Sequence, residues 1–143
     1  MKSLLDRQAI ADVLGTYAAT IDEREVERYR ALFDSDVEVS GFGPEVVRGV
    51  DAWVDFVEAQ LARFRSTQHM LGPQLVRLRG DRAEARTDLQ ATHWMNEPAG
   101  EIWILWATYR TELVRDPERE HGWKIVRHEL VPRGARTLGR SGS

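Results

Sequence analysis

The first candidates for chemistry are a lone histidine and a carboxylate next to an apolar helix face. The segment STQHMLGPQ, residues 66–74, carries His69 between a helix-like stretch and a Gly-Pro break. Histidine can act as a general base at neutral pH because its unperturbed pKa is about 6.5. Asp22 follows Ala18 by four residues and is expected beside the buried face of the first helix. Both have structural alternatives: a hydrogen-bonded core histidine, and an aspartate that caps the next helix.

Three further polar side chains are expected to point inward. Tyr17 lies on the apolar face of the first helix, where it fits with or without a chemical role. Residues 83–95 alternate with period two, which places His93 on the core-facing side of a strand. His128, in IVRHELV, alternates with apolar residues of the last strand. It could line a pocket or face a partner subunit.

The hydrophobic pattern predicts helices first and long strands after them. Apolar residues recur at helical spacing over residues 3–22, over a short second helix at 25–33, and over a third helix that Asp51 is expected to cap. A short strand, DVEVS, ends at a Gly-Phe-Gly-Pro turn between the second and third helices. From residue 66 onward the pattern favours strands up to Val131, followed by a polar tail. This order predicts an α+β fold.

Composition excludes several classes of function. The chain has 143 residues, 42% hydrophobic and 30% charged, which suits one compact domain. Its net charge of −3 is spread along the chain, so we expect no nucleic-acid partner. It contains no cysteine, and no stretch approaches the roughly 18 apolar residues of a membrane span. We expect a cytoplasmic protein without a signal peptide.

Known catalytic motifs are missing from the sequence. It has no glycine-rich nucleotide loop, no GxSxG and no HExxH. His121 and His128 flank the start of a strand instead of sharing one face, so we expect no metal and no cofactor.

The chain resembles the nuclear transport factor 2-like superfamily, and within it the SnoaL-like and scytalone dehydratase-like branch. The resemblance covers roughly residues 3–135. It is carried by RQAIADVLGTYAATID, YRALFDSDVEV, the glycine of VRGVDAW, the histidine of STQHMLGPQLVRLRGDRAEA, and GWKIVRHELV. It implies a cone-shaped barrel in which a curved, mixed or antiparallel sheet wraps around three N-terminal helices and encloses a pocket. We expect one such domain at 1–135 and a flexible tail at 136–143, with a lid formed by Arg133 or Arg136 as the alternative.

The same resemblance implies roles for the candidate residues. The spacing Tyr-x4-Asp in TYAATID, followed by the histidine of QHM, is similar to that of dehydratases and dehydrochlorinases of the branch. It implies a His69–Asp22 dyad in which Asp22 orients His69 and His69 removes a substrate proton. Tyr17 would donate a hydrogen bond to a substrate oxygen, and His93 would position water or a departing hydroxyl. His128 is the remaining auxiliary candidate.

We therefore expect a cofactor-independent lyase or isomerase that acts on a small hydrophobic, cyclic substrate, with dehydration as the reaction. The alternatives are a polyketide cyclase of the SnoaL type and a non-catalytic domain that binds small molecules. The strand IWILWATYRTEL has apolar residues on both faces, whereas helices can cover only the concave one. We expect a homodimer that buries the convex face around Trp103 or Trp106, with a trimer as the alternative.

Overall fold

The structure is a computed structural model that describes residues 1–139. These residues form three helices and seven strands, and the last five strands follow one another without an intervening helix. They are α1 (Lys2–Asp22), α2 (Val26–Arg30), β1 (Phe33–Ser40), β2 (Val47–Arg48), α3 (Val50–Leu61), β3 (Phe64–Leu71), β4 (Leu75–Arg79), β5 (Arg82–Met95), β6 (Ile102–Arg115) and β7 (Trp123–Leu138).

The strands form one curved, open sheet in the order β2-β1-β7-β6-β5-β3, and β4 pairs with β5 beyond the end of β3. Strand β1 runs parallel to β7, and all other pairs are antiparallel. The predicted α+β class and the curved mixed sheet are confirmed. The sheet does not close into a barrel, because β2 and β3 are not paired with each other.

The helices cover the concave face of this sheet. The apolar stripe of α1 recurs every three or four residues, and Ile10, Val13 and Leu14 are fully buried against the sheet. Trp53 of α3 is also buried, together with Trp123 and Ile125 of β7. The core therefore lies between the helices and the sheet, and the cavity described below is continuous with it.

Strand β5 shows the predicted alternation. Every second residue from Ala83 to His93 is buried, and the residues between them are exposed or half-buried. The inward position of His93 is confirmed, with 7% of its surface exposed.

Two predicted helix boundaries are wrong. The second helix ends at Arg30, and Phe33 already belongs to β1, where its backbone pairs with β7. The N-cap of α3 is Gly49 at φ 90°, a conformation that favours glycine, and Asp51 lies inside the first turn. The Asp51 side chain forms an ion pair with Arg30 instead of a cap.

The last strand is longer than the sequence pattern predicts. Strand β7 continues past Val131 to Leu138 and remains paired with β6. Residues 136–138 of the predicted tail are therefore in the sheet, while residues 140–143 lie outside the described residues. The lid alternative is wrong for Arg133, whose Nε donates to Thr108 Oγ1 at 3.1 Å on the convex face. Arg136 pairs with Ile104 inside the sheet.

None of the helices in residues 1–139 has the length and apolar character needed to cross a membrane.

Candidate active site

The end of α1 and the strand β3 bring Asp22 and His69 together. Asp22 is the last residue of α1, and His69 lies opposite Ala91 of the neighbouring strand β5. The Nδ1 atom of the His69 ring is 2.8 Å from Asp22 Oδ1. The other carboxylate oxygen, Oδ2, accepts the backbone N–H of His69 at 2.8 Å. Thr67 adds a third hydrogen bond, from its Oγ1 to Asp22 Oδ1, at 3.0 Å.

These hydrogen bonds keep Asp22 ionised. Burial alone would raise the pKa of Asp22, but the ring and backbone hydrogen bonds of His69 and the Thr67 hydroxyl outweigh it, so the pKa is lowered. A carboxylate can only accept, and therefore His69 Nδ1 carries the proton that the two residues share. In the neutral form of the ring, Nε2 is then the nitrogen with a lone pair that a substrate can use.

His69 lies on the wall of an apolar cavity between the helices and the sheet, with a volume of about 150 Å³. The side chains that line it are aromatic or aliphatic except for Gln60, His69 and His93. No charged side chain of residues 1–139 contributes to the lining. The aromatic part consists of Tyr17, Tyr29, Phe42, Trp53, Phe56, Phe64, Trp103 and Tyr109. Such a wall suits a small, neutral and hydrophobic molecule.

His93 lies close to His69 in this cavity, with 6.0 Å between the ring centroids. Its Nδ1 is 3.1 Å from the backbone carbonyl of Trp103, and its ring packs on the Trp103 ring at 4.4 Å. A carbonyl only accepts, so Nδ1 carries the proton and Nε2 is an acceptor. Burial lowers the pKa of His93 to about 4. His93 is therefore neutral at pH 7 and can accept a hydrogen bond.

Tyr17 also lines the cavity, and its hydroxyl contacts His128 of β7. Tyr17 Oη is 3.1 Å from His128 Nε2, and His128 Nδ1 is 3.0 Å from Thr111 Oγ1. Burial raises the pKa of the Tyr17 hydroxyl, which therefore keeps its proton. Burial also lowers the pKa of His128 to about 3, so His128 is a neutral imidazole.

His128 is fully buried in the core and does not line the cavity. It therefore forms neither the pocket wall nor the partner contact that were the alternatives for it. Its ring packs on Tyr17, Phe42 and Tyr109, which line the cavity instead.

The sequence matches the SnoaL-like domain family over residues 2–129. The chain belongs to this family. The predicted SnoaL-like membership is therefore confirmed.

Solved structures share the fold of this SnoaL-like domain. A protein from Novosphingobium aromaticivorans DSM 12444, provisionally assigned as a scytalone dehydratase, is 24% identical, with a TM-score of 0.83 over 99% of this chain and 96% of that one. The hexachlorocyclohexane dehydrochlorinase LinA-type3 from Novosphingobium barchaimii LL02 is 20% identical, with a TM-score of 0.82 over 99% and 94%. A nuclear transport factor 2-like protein from Novosphingobium aromaticivorans is 23% identical, with a TM-score of 0.74 over 99% and 86%. No curated protein is a significant sequence match.

Several residues of the SnoaL-like site were not predicted as site residues. Tyr29 and Trp53 fit helical periodicity, which indicates only that they are buried. They also line the cavity and are joined by a hydrogen bond from Trp53 Nε1 to Tyr29 Oη at 3.0 Å. Tyr109 shares its face of β6 with Trp103, and both line the cavity. Thr67 contacts Asp22 directly, and Arg24 contacts it through Thr67. Nothing in the sequence pattern indicates that either residue belongs to the site.

The prediction that Trp103 lies in the subunit interface is wrong. Because it lies against His93 inside the cavity, it cannot belong to the convex face. Trp106 is 39% exposed and lies on the convex side.

No group of three or more His, Asp or Glu side chains within residues 1–139 is arranged to hold a metal ion.

Proposed function

We propose that this SnoaL-like domain is a cofactor-independent lyase that removes water from a small, neutral, cyclic β-hydroxy ketone, with His69 as the general base. The observation that carries the proposal is the hydrogen bond of 2.8 Å between His69 Nδ1 and an ionised Asp22 at the wall of the apolar cavity. This contact leaves Nε2 free to take a proton. Asp22 then stabilises the imidazolium that forms.

The reaction begins with the transfer of the proton next to the substrate carbonyl to His69 Nε2. The electron pair of the broken C–H bond forms an enolate, whose collapse creates the C=C bond and breaks the bond between the β-carbon and its hydroxyl. The hydroxyl leaves with the proton held by His69, as water. No electron acceptor is needed. Positioned acid-base catalysis of this kind contributes about 10²–10⁴-fold, which is sufficient for an already acidic C–H.

Two further side chains fit this sequence of steps. Tyr17 can donate a hydrogen bond to the enolate oxygen while it keeps its proton, if His128 in turn donates from Nε2 to Tyr17 Oη, for which the distance of 3.1 Å is suitable. His93 is neutral and offers a lone pair at Nε2, so it can accept a hydrogen bond from the departing hydroxyl or from the water that it becomes.

The lining of the cavity supports the choice of substrate class. It has no charged group to pair with a phosphate, a carboxylate or an amine, and burying such a group unpaired is costly. A volume of about 150 Å³ is below the roughly 300 Å³ at which drug-sized pockets begin. A single neutral ring is the substrate that fits both features.

A panel of substrates tests the proposal against its alternatives. Purified protein is incubated with cyclic β-hydroxy ketones and, separately, with polyketide esters, and loss of water is followed by the absorbance of the conjugated product. We expect dehydration that disappears in His69→Ala and persists in His121→Gln, a histidine that contacts Thr16 and Glu120 outside the cavity. Turnover of the esters alone would favour the cyclase. Tight binding of both classes without turnover would favour a binding domain.

A further inference from the structure

The first helix ends in an unusual way, directly beside the dyad. The backbone N–H of Glu25 donates to Thr20 O at 2.8 Å and that of Arg24 donates to Ile21 O at 3.2 Å, the pattern that closes a helix with one left-handed residue. That residue is Arg24 at φ 60°, the only non-glycine residue with positive φ in residues 1–139. Glycine adopts this conformation without the steric conflict of a Cβ atom, so an arginine here is unfavourable for the backbone.

The Arg24 side chain connects this helix end to Asp22. Its Nη1 donates to the carbonyl of Ile21 at 2.6 Å and to Thr67 Oγ1 at 2.9 Å. A guanidinium has no acceptor, so Thr67 must accept from Arg24. The single proton of the Thr67 hydroxyl is then directed to Asp22 Oδ1, at 3.0 Å. Arg24 thereby fixes the direction of the hydrogen bond that Thr67 gives to the carboxylate.

The positive charge of Arg24 is not neutralised by a direct ion pair with any carboxylate of the described residues, and its Nη2 is buried without a hydrogen-bond partner there. Burial lowers the pKa of His93 on β5, and the nearby Arg24 charge adds to this effect because a cation opposes protonation of an imidazole.

We propose that Arg24 is a positioning residue for the dyad: through Thr67 it holds Asp22 in the orientation that binds His69. The effect expected on turnover rests on the proposed function of His69, whereas the effect on the hydrogen-bonded network does not. The side chain would thus account for an arginine at a position where the backbone favours glycine.

The test compares Arg24→Gln, Arg24→Gly and Thr67→Val with Arg28→Gln, which removes a cation from the exposed face of α2. The first readout needs no substrate: the downfield proton resonance of His69 Nδ1–H in the free protein. We expect this resonance to be shifted or lost in Arg24→Gln and Thr67→Val and to be unchanged in Arg28→Gln. Arg24→Gly keeps the test decisive if the glutamine variant fails to fold, because glycine suits φ 60°.

The second readout is kcat/KM on a substrate that the protein dehydrates. Partners that orient metal-binding histidines cost about 10- to 100-fold when they are removed, and we expect a loss of that size for both Arg24 variants and for Thr67→Val. A role in stability alone would lower the melting temperature without changing the Nδ1–H resonance or kcat/KM of the folded variants.

The two proposals fail in different ways. An unchanged Nδ1–H resonance in folded Arg24→Gln, together with an unchanged kcat/KM, would overturn the role of Arg24. Full turnover by His69→Ala would overturn the proposed function, yet the resonance would still report whether Arg24 and Thr67 hold Asp22 in place.

Discussion

Asp22 and His69 are joined by two hydrogen bonds, one from the imidazole ring and one from the backbone N–H of the same residue, each 2.8 Å long. Both carboxylate oxygens are therefore engaged by a single residue of β3. The plane of the carboxylate is fixed by the strand backbone and not only by the ring. The two hydrogen bonds should therefore be disrupted by a substitution that keeps the shape of the Asp22 side chain but replaces one of its two acceptor oxygens with a donor.

Asp22→Asn is such a change. If the amide oxygen accepts the backbone N–H of His69, the amide NH2 group faces Nδ1 and forces the imidazole into the opposite tautomer. We expect kcat to fall by about 10²–10⁴-fold, with a melting temperature close to that of the wild type. Steady-state kinetics and circular dichroism measure the two effects, and Asp12→Asn on the exposed side of α1 is the control. A loss below about tenfold would mean that Asp22 serves mainly as a structural residue at the helix end.

Two buried histidines make stability depend on pH. In the unfolded chain His93 and His128 titrate near 6.5, whereas in the folded protein their pKa values are about 4 and about 3, because burial disfavours the charged ring. Below pH 6.5 the unfolded state binds protons at these two histidines that the folded state does not bind. The free energy of unfolding should therefore fall with falling pH by about 1.4 kcal/mol per pH unit for each histidine, down to about pH 4.

Urea unfolding at about pH 7, 6 and 5 measures this slope. His128→Gln removes one of the two histidines, so we expect it to be less stable at neutral pH but to have roughly half the pH dependence. An unchanged slope in this variant would show that the protons are taken up elsewhere.

The convex face of the sheet carries an apolar patch formed by Trp94, Ile102, Ile104, Trp106 and Leu138, of which Trp106 and Leu138 are 39% and 38% exposed. We propose that a second copy of the chain covers this patch in a homodimer, with a trimer as the alternative. Trp106→Glu should shift the protein to a monomer in sedimentation experiments at micromolar concentration, whereas Leu4→Glu, on the exposed part of α1, should not. A monomeric wild type would contradict this expectation.

The C-terminal strand offers a proteolytic test. The segment LVPRGA resembles a thrombin site, and its Arg133 lies in β7 between residues that pair with Ala107 and Trp106 of β6. A protease must open these pairs, so we expect thrombin to cleave the native protein far more slowly than the same protein in urea concentrations that unfold it. Equal rates would mean that β7 separates readily from the sheet beyond Val131.

Local periodicity was sufficient to predict some of these positions. The alternation in β5 places His93 inside, and the helical stripe of α1 places Tyr17 inside, because each pattern refers to one element and one face. It could not choose between Trp103 and Trp106, since the first half of β6 is apolar on both faces. Periodicity also did not predict the end of β7. There the sequence is polar without alternation, and the strand is defined by its backbone pairing with β6.

Contacts between distant elements were beyond the sequence pattern. Asp22 and His69 are 47 residues apart, and their proximity depends on how α1 packs against β3, so the pairing was inferred from the family resemblance alone. Arg24 and Thr67 had no signal at all. Arg24 contacts Thr67 from a helix end where its backbone is left-handed, a conformation that residues with a Cβ atom do not favour.

The role of His69 as the base is tested most directly with a cyclic β-hydroxy ketone deuterated at the carbon next to the carbonyl. We expect the wild type to dehydrate it with a primary isotope effect on kcat/KM, and His69→Gln to lose about 10²–10⁴-fold of the rate with the fold intact. His69→Gln turning over at the rate of the wild type, with the same isotope effect, would contradict the proposal that His69 removes the proton.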